Sequence, residues 1–222
     1  RILEIARAYD LSVIEDVAQA HGARYHGQLC GSFGHAAGYS TQASKTLSSG
    51  CQGGLFTTDD ELIHQRAALL QYFGEIVVPG QERESQEYNA YGLGWMYRGD
   101  MFSQALIRSQ LKRLDQNNAL RVENCHFLTQ HLSQIPGLET PLVPQECEPV
   151  YYNYVIGFDP KPLGLDISAG ELRQKVQAAL RAEGVPTGQW QRLPVPSQEI
   201  FQNRVGYGKG CPWQCTHSTV EY

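Results

Sequence analysis

A lysine and a carboxylate, each placed just after a short apolar run, are the residues of this chain best suited to covalent chemistry. Asp16 follows the run from Leu11 to Ile14, and Lys45 follows the run from Ala36 to Thr41. A lysine amine can bond to an aldehyde, and a carboxylate can stay ionised beside a protonated ring nitrogen. The pair could therefore hold an aromatic aldehyde cofactor.

A hydroxyl and a group of glycines complete this candidate site. Ser40 can donate to a phosphate oxygen, and glycines after Lys45 let the backbone approach a cofactor closely. These glycines are Gly50, Gly53 and Gly54. Pyridoxal phosphate (PLP) needs a Schiff-base lysine, an anion opposite its ring nitrogen, phosphate donors and groups that hold the ring. On spacing alone, a solvated lysine and a helix-capping aspartate are the simpler interpretations.

An open α/β sheet would bring these residues together. The run from Leu11 to Ile14 predicts a buried parallel strand that delivers Asp16 at its carboxyl edge, where such sheets bind ligands. Two further strands are predicted, from Ala36 to Thr41 and from Gly54 to Thr57. Lys45 then lies in the connection between them.

Helical patterns are predicted around these strands. Val17 to Ala23 reads as a helical turn or two, and Thr58 and Glu61 have the spacing of a capping box before a helix that continues through Phe73. The pattern from Phe102 to about Ile135 predicts two helices or one bent helix.

The later part of the chain has a different character. Val150 to Phe158 is rich in strand-forming residues, and Ser168 to Glu183 predicts a helix that begins with a Ser-x-x-Glu cap. These elements indicate a small α+β domain. A polar loop is predicted from Pro79 to Tyr91. The first residue, Arg1, falls in the last turns of an amphipathic helix, so we expect the natural protein to begin earlier.

Composition excludes several function classes. The 222 residues carry a net charge of −5, and the scattered lysines and arginines form no stripe of the kind that binds nucleic acid. No apolar run reaches the length of about 20 residues that a membrane span needs. Six irregularly spaced cysteines indicate reduced thiols in a cytoplasmic enzyme. Cys211 and Cys215, with His217, come closest to a metal pair, but no second pair matches them, so no metal is predicted.

Several ordered segments resemble the DegT/DnrJ/EryC1/StrS family of fold-type-I aminotransferases, which are known chiefly as amino-sugar and aminocyclitol enzymes. They are Val13 to Ala23, Gly31 to Gly34, Tyr39 to Lys45, Gly53 to Asp59, Arg98, Gln110 to Asp115 and Tyr152 to Ile156. The resemblance implies a mixed, mostly parallel sheet with flanking helices. It assigns residues 1–115 to the large PLP-binding domain and residues 116–222 to a small C-terminal α+β domain, incomplete at its end.

The resemblance also implies roles for individual residues. Asp16 becomes the partner of the pyridine nitrogen, Gln19 the neighbour of the phenolic oxygen, Ser40 a phosphate ligand and Lys45 the Schiff-base lysine. Some relatives carry histidine in place of the lysine and act as dehydratases. The lysine of this chain therefore favours transamination.

Three further positions follow from the resemblance. Gln42 occupies a position near the substrate in relatives, although a hydrogen bond that holds the lysine loop is an equal interpretation. Arg192 could bind a donor carboxylate, with a solvated or salt-bridged arginine as the alternative. Met96 stands where the family has an Asn that reaches the phosphate in the neighbouring subunit, and methionine cannot donate that bond. The seven histidines receive no role.

The resemblance implies an enzyme that transfers an amino group from glutamate or glutamine to a keto-sugar or keto-cyclitol. It implies PLP as the cofactor and a cytoplasmic homodimer with each active site built from both chains. Nucleic acid and membrane are not expected as partners. A PLP-dependent dehydratase or epimerase is one alternative, and a non-catalytic binding protein of the same fold is the other.

Overall fold

The computed structural model describes residues 1–76, 89–208 and 210–213. Most of the predicted loop from Pro79 to Tyr91 lies outside these residues, as do Cys215 and His217. The chain divides into two compact units, Arg1–Leu163 and Gly164–Tyr222. The predicted domain boundary after residue 115 falls inside the first unit, and the assignment of the domains stays a prediction.

The described residues contain short strands and six α-helices. The strands are β1 (Ile14–Asp16), β2 (Arg24–Tyr25), β3 (Gln28–Leu29), β4 (Ala36–Ser40), β5 (Gly54–Thr57), β6 (Leu138–Glu139), β7 (Cys147–Glu148) and β8 (Gly157–Phe158). The helices are α1 (Ile2–Ala8), α2 (Glu61–Gln71), α3 (Met101–Leu111), α4 (Leu114–Leu132), α5 (Ala169–Ala182) and α6 (Glu199–Gln202). No helix among these residues is both long and apolar enough to cross a bilayer.

A three-stranded sheet in the order β1–β4–β5 carries the candidate residues. Strands β1 and β4 are parallel, with Asp16 opposite Gly38, whereas β4 and β5 are antiparallel, with Ser40 opposite Gly54. The sheet is thus mixed, as predicted, with one parallel and one antiparallel pair in the described residues, and its mostly parallel character stays a prediction. Ala36 and Ala37 of β4 are buried.

The first predicted strand is displaced. The sequence predicts a buried strand from Leu11 to Ile14, but β1 runs from Ile14 to Asp16, and Ile14 is 75% exposed. The Leu11 N–H still caps α1 by donating to the Ala6 carbonyl, and Asp10 turns the chain with φ 51°. Because β1 is an edge strand of the described sheet, one of its sides has no neighbouring strand.

One helix prediction near the sheet was wrong, and another was right in the helix but not in its cap. Val17 to Ala23 forms successive turns instead of a helix, with Gly22 at φ 87°. The cap of α2 is Asp60, whose side chain accepts from the Ile63 N–H, because the Thr58 hydroxyl donates to the His35 carbonyl. The end of α2 at Gln71 precedes Phe73, whose φ of 59° does not continue a helix.

The later helices agree with the sequence. The pattern from Phe102 to Ile135 forms two helices, α3 and α4, and the capping box of Ser168 and Glu171 starts α5. The strand-rich run from Val150 to Phe158 contains only β8, which pairs with β6 in the first unit. The part of the second unit that the structure describes contains helices and no strand. The predicted small domain, residues 116–222, contains α5 and α6 and also the strands β6, β7 and β8, and its assignment as an α+β domain stays a prediction.

Candidate active site

The carboxyl ends of two parallel strands place Asp16 and Ser40 at one edge of the sheet. Asp16 lies opposite Gly38, and the ladder continues with the Val17 N–H donating to the Gly38 carbonyl at 2.9 Å. Ser40 is two residues further along β4, so the Cα atoms of Asp16 and Ser40 are about 8 Å apart by ordinary strand geometry. The Asp16 carboxylate is exposed and accepts from the Ala18 N–H at 3.0 Å. It is therefore open to a ligand at this edge.

Lys45 lies in a connection that closes on itself. The Thr41 N–H donates to the Gly53 carbonyl at 2.9 Å, and the Thr41 carbonyl accepts from the Ser49 N–H at 2.8 Å and from its hydroxyl at 2.7 Å. The Lys45 N–H donates to the Gln42 carbonyl at 2.8 Å. We call residues 41–53 the lysine loop. Its turns keep Lys45 near the end of β4.

A buried histidine joins the lysine loop to the segment that follows Asp16. The Thr46 hydroxyl lies 3.0 Å from Nδ1 of His21, and His21 is 2% exposed. The Asn118 side chain donates to the His21 carbonyl at 2.9 Å, which fixes the backbone of this segment. Burial lowers the pKa of His21, the charge of Lys45 lowers it further, and the Ser40 backbone partly opposes both. Nδ1 of a neutral His21 can accept a hydrogen bond that the Thr46 hydroxyl donates.

Tyr152 covers the Lys45 side chain. The Lys45 ammonium lies 4.7 Å from the centroid of the Tyr152 ring, and the Tyr152 hydroxyl lies 3.1 Å from that of Ser44. Gln42 Oε1 accepts from the Ser44 N–H at 2.9 Å and from the Ser44 hydroxyl at 2.6 Å. The Gln42 side chain thus holds the lysine loop, as one of its two interpretations predicts.

Glu15 organises the loop beside the candidate site. Its carboxylate accepts from three backbone N–H groups, those of Gly31 at 2.6 Å and of Phe33 and Gly34 at 2.7 Å. Successive side chains of a strand point to opposite faces. Glu15 therefore serves the fold on one face of β1, while Asp16 faces the other way.

The side chains at this edge can be compared with the functional groups of a phosphorylated pyridine aldehyde. The edge offers a carboxylate at Asp16, a hydroxyl at Ser40 and a primary amine at Lys45, which match the ring nitrogen, the phosphate and the aldehyde. The Thr41 hydroxyl is fully buried and has no hydrogen-bond partner among the described residues. A Cβ added at Gly53 would lie 2.8 Å from that hydroxyl, so glycine keeps its surroundings open. The residues fit PLP.

Comparison with known proteins identifies the family. The model of the DegT/DnrJ/EryC1/StrS aminotransferase family matches residues 1–219. The chain belongs to this family.

Individual relatives of the chain are aminotransferases by name. The L-glutamine:scyllo-inosose aminotransferase of Streptomyces griseus is 35% identical over 159 residues, 70% of this chain and 37% of that protein. The dTDP-3-amino-3,6-dideoxy-alpha-D-galactopyranose transaminase of Aneurinibacillus thermoaerophilus is 33% identical over 152 residues, 68% of this chain and 39% of that protein. The chain thus spans about two fifths of these relatives.

Solved structures confirm the fold. The structure of S. venezuelae DesV in complex with a ketimine intermediate has a TM-score of 0.77 and 26% identity, and it covers 91% of this chain and 49% of that one. The DegT/DnrJ/EryC1/StrS aminotransferase from Brucella abortus has a TM-score of 0.76 at 22% identity, with 90% and 48% covered. The expected fold-type-I α/β architecture is therefore confirmed.

The other family positions are Gln19, Arg192 and Met96. Gln19 is exposed in the turns after Asp16. Arg192 belongs to the second unit, where it is exposed, and its relation to the lysine loop stays a prediction. Met96 Sδ accepts from Nε of Arg98 at 3.0 Å, and Nη1 of Arg98 donates to the Tyr72 hydroxyl at 2.8 Å.

The described residues contain no candidate metal site. They contain no cluster of three or more histidine, cysteine, aspartate or glutamate side chains that could hold a metal ion.

Sequence reasoning missed His21, Thr46 and Tyr152. Their contacts join segments that are 25 and 107 residues apart along the chain. The only sequence signal was the position of His21 and Tyr152 inside the segments that carry the family resemblance.

Proposed function

We propose that this chain is the lysine-bearing part of a PLP-dependent aminotransferase. The observation that carries the proposal is the joint placement of two segments. Asp16 ends the strand beside β4, and the Thr46–His21 hydrogen bond ties the Lys45 loop to the residues after Asp16. Membership of the family supports the same reading.

The proposed roles follow from the chemistry of each side chain. Bound PLP supplies an electron sink for breaking bonds at the amino carbon of the substrate. Lys45 anchors the cofactor and, once its amine is released, moves the proton at the substrate carbon. With PLP bound, the Asp16 charge would keep the ring nitrogen protonated, Ser40 would donate to the phosphate, and Gln19 would neighbour the phenolic oxygen.

The proposed substrates are glutamate or glutamine as donor and a keto-sugar or keto-cyclitol as acceptor. Relatives at 35% and 33% identity bear the names of a glutamine-dependent inosose aminotransferase and a dideoxy-sugar transaminase, which supports both acceptor classes. Arg192 is proposed to bind the donor carboxylate. A cytoplasmic location remains part of this proposal.

A homodimer is proposed as the functional assembly. The segment that begins at residue 89 exposes large apolar side chains, among them Leu93, Trp95, Met101 and Phe102. Exposed apolar groups of this kind support a protein interface.

The test is amino transfer in the full-length protein. Amino-labelled glutamine and a keto-cyclitol or keto-sugar are incubated with wild type, Lys45→Ala and Lys161→Ala, and the label is followed by mass spectrometry. Wild type and Lys161→Ala, which removes an exposed lysine, should label the product, whereas Lys45→Ala should lose at least about 1,000-fold in rate because its anchor and proton carrier are gone.

A wild type that consumes the acceptor with the donor unchanged would favour the dehydratase or epimerase. Bound PLP with no turnover would favour the binding protein.

A further inference from the structure

The Lys45 ammonium has an aromatic electrostatic neighbour. It lies 4.7 Å from the Tyr152 ring centroid, within the distance of about 6 Å at which an aromatic face attracts a cation. Across residues 1–76, 89–208 and 210–213, the one ion pair joins the Arg1 N-terminus to Glu4. No described carboxylate therefore pairs with Lys45. Because burial lowers the pKa of nearby His21, that ring stays neutral and does not repel the ammonium.

The position of the Tyr152 ring is fixed by a directed chain of hydrogen bonds. The Ser44 N–H can only donate, so the Gln42 atom that faces it is the amide oxygen. That oxygen also receives the single hydroxyl proton of Ser44 at 2.6 Å. The Ser44 and Tyr152 hydroxyls are 3.1 Å apart, and Tyr152 must then be the donor of the hydrogen bond between them. The ring is thereby tied to the same loop as the lysine it covers.

We propose that Tyr152 is a positioning residue for the Lys45 amine. Its ring holds the amine at the edge of the β1–β4 pair whenever the amine is not bonded to the cofactor, and Ser44 and Gln42 hold the ring. The amine is free after the substrate has replaced it, and it must then stay within reach of the substrate proton. The inference rests on the proposed function of Lys45.

The ring and its anchor can be separated by substitution in the full-length protein. The readouts are the rate at which the visible band of bound PLP appears in cofactor-free protein, and the kcat and KM for the amino donor. Tyr152→Leu should slow attachment and lower kcat roughly three- to tenfold, with KM within about twofold, because the cation–π contact is lost. Tyr152→Phe keeps the ring but loses its hydrogen bond to Ser44, so both rates should fall less than in Tyr152→Leu and by no more than about threefold.

A second set of variants tests the anchor. Ser44→Ala and Tyr152→Phe delete the same hydrogen bond, so the double variant should be no slower than the slower single variant. If Tyr152→Leu does not fold, these variants still test the proposal. A decrease of more than about threefold in the attachment rate or kcat of Tyr152→Phe would show that the ring is not the group that holds the amine. Tyr9→Leu, which removes an exposed tyrosine next to α1, is the control and should match wild type.

The outcomes distinguish this inference from the proposed function. A wild type that attaches PLP at Lys45, together with Tyr152→Leu rates within twofold of it, overturns the role of Tyr152 and leaves the proposed function intact. A wild type that does not attach PLP at Lys45 overturns both. Slowed attachment and kcat in Tyr152→Leu, restored in Tyr152→Phe, support the inference.

Discussion

The Thr46 hydroxyl lies 3.0 Å from Nδ1 of His21, although the two residues belong to different segments of the chain. His21 follows the strand that ends in Asp16, and Thr46 is the neighbour of Lys45. The hydrogen bond therefore couples the carboxylate segment to the lysine loop. Because His21 is buried, the coupling depends on the protonation state of the ring.

Stability should depend on pH through His21. Burial lowers the pKa of His21 below its ordinary 6.5, so the unfolded chain binds the proton more tightly than the folded chain. The stability present above pH 6.5 is then lost as the pH falls from 6.5 through the folded value. The free energy of unfolding of cofactor-free wild type should approach that of His21→Gln between pH 8 and pH 5. A gap that stays constant or widens would contradict this, and His64→Gln, an exposed histidine on α2, is the control.

Loss of the Thr46 hydroxyl should destabilise the folded protein. Thr46→Val leaves Nδ1 of a buried ring without its partner, which should lower the free energy of unfolding by about 1–3 kcal/mol at pH 8. Thr46→Ser keeps the hydroxyl and should lose clearly less. Denaturant unfolding of the two variants gives the comparison, and equal losses would show that the methyl packing, not the hydrogen bond, matters.

Glu15 should matter to folding and not directly to chemistry. Glu15→Ala removes the acceptor of three backbone N–H groups and should destabilise the protein by about 2–3 kcal/mol. Glu15→Gln keeps one oxygen but turns an amide donor toward another donor, so its stability should fall between those of wild type and Glu15→Ala. Glu123→Ala on the exposed side of α4 is the matched control, expected within about 0.5 kcal/mol of wild type. If Glu15→Ala changed the free energy of unfolding as little as Glu123→Ala does, Glu15 would not have this role in folding.

Two glycines with positive φ should respond differently to alanine. Gly27 has φ 75° and open space where a Cβ would lie, whereas at Gly31, with φ 94°, a Cβ would overlap the Tyr39 hydroxyl. The Tyr39 ring lies 5.8 Å from the His21 ring and its hydroxyl donates to the Cys30 carbonyl at 3.3 Å, so moving Tyr39 aside would disturb both contacts. Gly27→Ala should cost about 1 kcal/mol from its backbone alone, and Gly31→Ala at least about 2 kcal/mol more. Equal unfolding free energies for the two variants would argue against the overlap.

Some local patterns in the sequence predicted local structure correctly. The strand from Gly54 to Thr57 and the capping box at Ser168 depend on residues a few positions apart, and both have the predicted bounds. The expected strand from Leu11 to Ile14 is displaced because an apolar run does not reveal which residues have a pairing partner. Leu11 follows the turn at Asp10 instead, and Ile14 is the first residue of β1.

The candidate site was predictable only in part. Asp16 and Lys45 each follow an apolar run, and a parallel pairing of their strands brings them to one edge. The separate tasks of Glu15 and Asp16 could not be read from the sequence, because both are carboxylates and only the strand pairing assigns each to a face. The contact between Tyr152 and Lys45 bridges 107 positions, and the sequence pattern predicts Tyr152 in a strand of the small domain, where the structure has none.

The most direct test is to find the lysine that carries the cofactor. Full-length protein is incubated with PLP, reduced with borohydride to make the linkage permanent, digested and analysed by mass spectrometry. We expect the added mass on the peptide that contains Lys45, and we expect it to disappear in Lys45→Ala and to remain in Lys161→Ala. Modification of a different lysine in the wild type, or no modification at all, would contradict it.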